Sequence, residues 1–135
     1  MLKALKKHPI TSICFLVALM LLPNLELIQT SIMEARNFIT AREMVNDSHW
    51  LLTTMNGQPR YQKPPLPTWL TAISSLLFGI KSVFGLRLPA VLMIMVTGSF
   101  MYKLSNLILK NNTHSLINGL ITITSFYVIG IMIEG

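Results

Sequence analysis

The sequence predicts an all-α membrane protein, with three transmembrane helices and further helices lying along the outer face. Hydrophobic residues make up 52% of the 135-residue chain and charged residues only 12%, against roughly a quarter charged in soluble domains. Mean hydropathy is +0.57. The apolar residues fall into long runs, and a polar stretch from Gln29 to Pro65 separates the first run from the others.

The elements follow in order. Lys3, Lys6 and Lys7 precede an uncharged run from Ile10 to Leu22, and no small-x-small cleavage site follows it. The run continues through Pro23 and Glu26 to Ile28, near the ~20 residues that span a bilayer. Residues 1–28 therefore read as a basic cytosolic start and a first transmembrane helix. Residues 29–85 read as an outer loop. Within it, Ser31-Ile32-Met33-Glu34 fits a capping box, and Glu34 to Asn46 has helical periodicity, with Ala35, Phe38, Ala41 and Val45 on one side. Such a helix lies flat on the membrane surface. Asn56-Gly57 marks a short hairpin. Pro64, Pro65 and Pro67 open the next helix. Leu66 to Ile80 is apolar but short for a span, and suits a re-entrant or interfacial helix.

Residues 86–109 form the second transmembrane helix, residues 110–115 a cytosolic loop and residues 116–135 the third. This topology keeps Lys103 and Lys110 on the cytosolic side. It also returns Glu134 to the outer face, near Glu34. If Leu66 to Ile80 spanned instead, Lys110 would face outward. The end at Glu134-Gly135, directly after a span, reads as that of an amino-terminal piece of something longer.

A formal net charge of +6 points to topology rather than nucleic acid, because no basic, aromatic-interleaved face accompanies it. Cys14 is alone and reads as packing. His8, His49 and His114 lie far apart without metal-ligand spacing. Two triplets match the glycosylation pattern, Asn46-Asp47-Ser48 and Asn111-Asn112-Thr113, and such short matches are common by chance.

The chemistry concentrates in Glu34-Ala35-Arg36-Asn37-Phe38 and Gln62-Lys63-Pro64-Pro65-Leu66. A carboxylate, arginines and a lysine at a bilayer surface suit a phosphate-bearing lipid. Arginine grips phosphate in a planar fork and lysine acts as a point charge. These motifs stand in one order with Ala41-Arg42-Glu43-Met44, Asn56-Gly57, Trp69, Phe78-Gly79 and Arg87-Leu88-Pro89. The order resembles the first outer loop of GT-C glycosyltransferases that use polyprenyl-phosphate sugars, in the aminoarabinose transferase and protein O-mannosyltransferase group (glycosyltransferase family 39).

The resemblance implies a membrane transferase that moves a sugar from a polyprenyl-phosphate donor to a lipid or protein acceptor at the outer face of a bacterial-type cytoplasmic membrane. The partners are then the lipid-linked sugar, the acceptor and membrane lipids, with no nucleic acid. The fragment alone is expected to be inactive. Glu34 would be the catalytic carboxylate, activating the acceptor hydroxyl. Arg36 and Lys63 would bind the leaving phosphate, and Arg42, Arg60 and Tyr61 are further candidates for substrate contact. Trp50, Tyr61 and Trp69 also fit an interfacial aromatic belt. No metal ligand is assigned, although a divalent cation is left open as a cofactor. Three positions depart from the family pattern: Met33 stands where relatives carry aspartate, Asn37 where they carry tyrosine and Gln62 where they carry glutamate. The alternative for Glu34 is a purely structural capping role with Ser31. For the whole chain it is a non-catalytic protein that binds polyprenyl phosphates or partner helices.

Overall fold

The computed structural model describes residues 8–27, 29–61 and 64–125. The elements in chain order are α1 (Pro9–Leu21), a 3-10 turn (Leu22–Asn24), α2 (Ile32–Asn46), β1 (Thr54–Met55), β2 (Gln58–Pro59), α3 (Pro65–Phe78), α4 (Val83–Leu109) and α5 (Asn112–Thr124). The described residues belong to two compact units, one formed by residues 8–24 with 90–125, the other by those between 25 and 89.

In the first unit, α1 starts with Pro9 in its opening turn, where a missing N–H costs no helical bond. It ends earlier than the apolar run suggests. Pro23 cannot donate to the carbonyl of Leu19, so the chain tightens into the 3-10 turn and leaves the helix at 13 residues. Among the described residues only α4 is both long and apolar enough to cross a membrane. Its 27 residues reach about 40 Å at ~1.5 Å each, against ~30 Å of hydrocarbon. Asn111 caps α5, its Oδ1 accepting from the backbone N–H groups of Thr113 and His114. The later part of the expected third span lies outside the described residues.

Small residues let these helices approach. A Cβ on Gly98 would overlap Ile123 and stand 3.0 Å from Ile13, and one on Gly119 would stand 2.9 Å from Ile13 and 3.2 Å from the Gly98 carbonyl. Polar pairs accompany the close contact. Tyr102 donates to Asn112 Oδ1 at 2.5 Å, and Asn118 donates to Ser105 Oγ at 3.2 Å.

In the second unit, α2 packs on α3 through Phe38, Ala41, Met44 and Ala72, joined by Leu86 from the start of α4. Trp50 and Trp69 close this core, and the Trp69 indole N–H donates to the Trp50 carbonyl at 2.6 Å. At 14 residues α3 is the short helix that the prolines and Gly79 forecast, and Gly79 ends it at φ 101°. Ser82 caps α4, accepting from the Gly85 N–H at 3.3 Å. Pro89 lies inside α4 and offers no N–H to the Gly85 carbonyl. The buried Ser74 hydroxyl of α3 donates there instead, at 2.6 Å.

The hairpin turns at Asn56-Gly57, both with positive φ (54° and 72°) as a two-residue primed turn requires. Its strands pair Thr54 with Pro59 and Met55 with Gln58. Glu43 on α2 reaches up to this turn. It accepts from the Thr54 hydroxyl at 2.7 Å, the Asn56 N–H at 2.5 Å and the Gly57 N–H at 3.4 Å. Desolvation alone would raise its pKa. The three hydrogen bonds and the charge of His49 outweigh that and hold it below the ordinary 4.5.

Two outcomes follow from these contacts. Gly98→Ala destabilises the chain by about 1–3 kcal/mol through overpacking, despite alanine's better helix propensity, as a thermal melt in detergent will read. The contribution of Glu43 is complete above pH 4.5 and fades as pH falls through its lower folded value, because only the carboxylate accepts all three bonds. The Asn56 and Gly57 amide resonances should shift in that window in wild type and stay flat in Glu43→Gln.

Candidate functional site

The first turn of α2 is fixed before any ligand is considered. Ser31 accepts from the Glu34 N–H at 3.2 Å, which is half of the expected capping box. The Glu34 carboxylate is engaged elsewhere. It is 3% exposed and meets Arg87, 5% exposed, in a bidentate pair: Nε to Oε1 at 2.6 Å and Nη2 to Oε2 at 2.7 Å. Nη1 of Arg87 also donates to the Leu25 carbonyl. A buried charge is tolerated only when paired and hydrogen-bonded, and this arrangement satisfies both partners. It also ties three distant stretches of the sequence together at one point.

Arg36, two residues further along α2, points outward and is exposed. No hydrogen bond from its guanidinium appears among the described residues. Its carbonyl is occupied, accepting from Thr40 Oγ1 at 2.9 Å and from Arg60 Nη1 at 3.1 Å. Arg60 Nη1 also donates to Thr40 Oγ1 at 2.8 Å. Arg60 is pinned through its backbone as well, to the carbonyl and hydroxyl of Thr53 at 2.7 and 2.5 Å. The Arg60 side chain thus lies against α2, held at the Arg36 carbonyl and the Thr40 hydroxyl.

An open pocket of about 350 Å³ lies at Arg60, lined by Leu51, Leu52, Thr53, Arg60, Tyr61, Pro64 and Pro65. Leu51, Leu52 and Tyr61 are 83%, 61% and 78% exposed. A pocket with an apolar rim and one cationic wall accommodates an amphiphile whose head is anionic. Gln62, Lys63 and Glu134 lie outside the described residues.

The sequence-derived candidates divide accordingly. Arg60 and Tyr61 stand at the pocket and Arg36 stands at the Arg60 end of α2. Arg42 points the other way, its Nε donating to the Ile80 carbonyl at 3.0 Å, and so braces the turn after α3. Glu34 lies buried with both oxygens facing Arg87. Met33 is 47% exposed. Among the described residues, no group of three or more His, Cys, Asp and Glu side chains could hold a metal ion. Arg87, Glu43 and Thr40 were not singled out as site residues from sequence. One signal was available for Arg87: an arginine leading a long apolar run needs a buried acid or an interface. For Glu43 the signal was an Asn-Gly turn, whose N–H groups call for an acceptor.

Comparison with known proteins agrees with the resemblance seen in the motifs. Residues 62–134 match the family model described as dolichyl-phosphate-mannose-protein mannosyltransferase. The chain is 28% identical over 98 residues to the undecaprenyl phosphate-alpha-4-amino-4-deoxy-L-arabinose arabinosyl transferase 2 of Proteus mirabilis, covering 73% of this chain and 18% of that protein. It is 39% identical over 54 residues to the corresponding transferase of Shewanella sediminis, covering 40% of this chain and 10% of that one. An uncharacterized protein of Aquifex aeolicus is 39% identical over 59 residues, 44% of this chain and 14% of its own length. The chain therefore spans less than a fifth of the curated relatives it matches. No solved structure matches. With more than half of its residues under the family model, and with that family's motifs in order, the chain belongs to the dolichyl-phosphate-mannose-protein mannosyltransferase family.

Proposed function

We propose that this chain forms the donor-binding loop and flanking helices of a membrane glycosyltransferase, which moves a sugar from a polyprenyl-phosphate carrier to a lipid or protein acceptor. The observation that carries the reading is the pocket with Arg60 on its wall, next to the turn of α2 that exposes Arg36. Arg36 and Lys63 hold the phosphate, and the charge that develops on it at bond cleavage is met by those two cations. Arg60 and Tyr61 shape the wall, and the prenyl chain follows Leu51 and Leu52. In this reading Glu34 acts by fixing the first turn of α2, since Arg87 occupies its carboxylate, and Arg42 is a structural brace. Membership in the transferase family and the relatives' undecaprenyl-phosphate donors support the substrate class.

In this proposal α1, α4 and α5 cross the membrane while α2 and α3 lie along its outer face. The cytosol then holds Lys110, and the outside holds Lys81. Lys81→Cys should react with an impermeant maleimide in intact cells, and Lys110→Cys only after permeabilisation. The reverse pattern overturns the topology.

A second reading has its own support. Met33 occupies the family's aspartate position, and the neighbouring carboxylate is ion-paired. A protein that binds the lipid phosphate without transfer would look the same here.

Titration of the chain in lipid nanodiscs with undecaprenyl phosphate tests the shared core of both readings. Arg36→Ala should weaken binding about 10- to 100-fold, the scale of one lost charge-assisted contact. Equal binding by wild type and variant refutes the site. Transfer of labelled sugar from its polyprenyl-phosphate carrier, seen in the same particles, assigns a transferase.

The ion pair has its own outcome. Glu34→Gln costs about 3–5 kcal/mol by leaving a buried guanidinium against a neutral amide, whereas the double variant Glu34→Leu/Arg87→Met recovers most of it. Thermal melts of the two will show whether Glu34 is structural first.

A further inference from the structure

We propose that Glu43 is a positioning residue for the lipid-phosphate site: by clamping the hairpin tip to α2, it sets where Arg60 and Tyr61 meet the pocket. The inference rests on the lipid-phosphate reading above and adds to it a residue remote from the ligand.

The hairpin cannot hold its own shape. Each strand has two residues, and an isolated hairpin is marginal even when longer. Pro59 further lacks an N–H to give Thr54 across the ladder. Its geometry must come from α2, which grips it at two places. At the tip, the Glu43 carboxylate accepts from Thr54, Asn56 and Gly57. The two turn residues have positive φ, so their consecutive N–H groups converge on one anion as in a backbone nest. At the base, Arg60 reaches back to the Arg36 carbonyl and Thr40 hydroxyl. Arg36, Thr40 and Glu43 are spaced four and three residues apart, which stacks them along one face of α2.

The two grips act on one short lever. Arg60 and Tyr61 directly follow β2, and Tyr61 makes no side-chain hydrogen bond among the described residues. Its position is therefore set by the backbone that leaves the hairpin. Freeing the tip lets the hairpin pivot about Arg60 and moves Tyr61 relative to the pocket wall. The helix core of Phe38, Ala41, Met44, Ala72 and Leu86 does not include the hairpin, so this change need not unfold α2 or α3.

Two measurements test this. In nanodiscs titrated with undecaprenyl phosphate, Glu43→Ala should bind at least tenfold more weakly than wild type, with unchanged helical circular dichroism at the assay temperature. Glu43→Gln, which keeps one acceptor oxygen, should recover part of the loss. Binding equal to wild type overturns the inference, and so does a loss accompanied by loss of helix. The second measurement needs no ligand. In a Cys14→Ser background, Tyr61→Cys should react with maleimide at a rate that Glu43→Ala changes severalfold; an unchanged rate overturns the positioning role. Failure of wild type to bind the lipid while the alkylation rate responds to Glu43→Ala refutes the lipid reading and leaves the clamp standing.

Discussion

The unit that carries the candidate site is organised around one buried ion pair. Glu34 and Arg87 lie 53 positions apart in sequence, and neither can be buried without the other. Their meeting forces the start of α2, the start of α4 and the Leu25 carbonyl into one place. Beside that junction the Phe38–Met44 face of α2 packs on α3 and Leu86. The pair adds little net stability over an apolar substitute. What it supplies is uniqueness, because a planar guanidinium and a carboxylate engage through two bonds in one orientation.

From this junction the site is built outward along α2. One turn carries the ion pair inward and Arg36 outward. The following turns present the Arg36 carbonyl, Thr40 and Glu43 to the hairpin. The same helix therefore fixes the fold through its buried side and the loop through its other side. Exposed apolar residues around the pocket, Leu51 and Leu52 above all, are expected where a membrane surface replaces water.

Much of the local structure was legible because local rules determine it. Ser31 reads as a helix start and Asn56-Gly57 as a turn, and the prolines before α3 with Gly79 after it mark a helix too short to span. Each rests on backbone requirements that a few neighbouring residues satisfy. The partners of those residues were less legible. Glu34 reads as a catalytic carboxylate or as Ser31's capping partner, with nothing local to announce Arg87 from across the fold, and the neighbours of Glu43 do not show that the turn folds back over it. The end of α1 at Leu21 was also misjudged, because hydropathy alone cannot register the hydrogen bond that Pro23 withholds. The basic residues already suggested a lipid phosphate, and the family resemblance supplied what local rules could not, a sugar carried on it.

The proline inside α4 gives the Arg87-Leu88-Pro89 triplet a joint meaning. Pro89 releases a carbonyl one turn back, and a serine from another helix takes it up. Arg87, two residues earlier, reaches a carboxylate on yet another segment. A single turn of one helix thus makes two cross-connections, one by adding a charge and one by withholding a donor. The second is a contact written as an absence: no side chain of α4 makes it, so a substitution at Pro89 that restored a perfect helix would return the carbonyl to its own ladder and set α3 loose. Regularity, at that position, would be the damaging change.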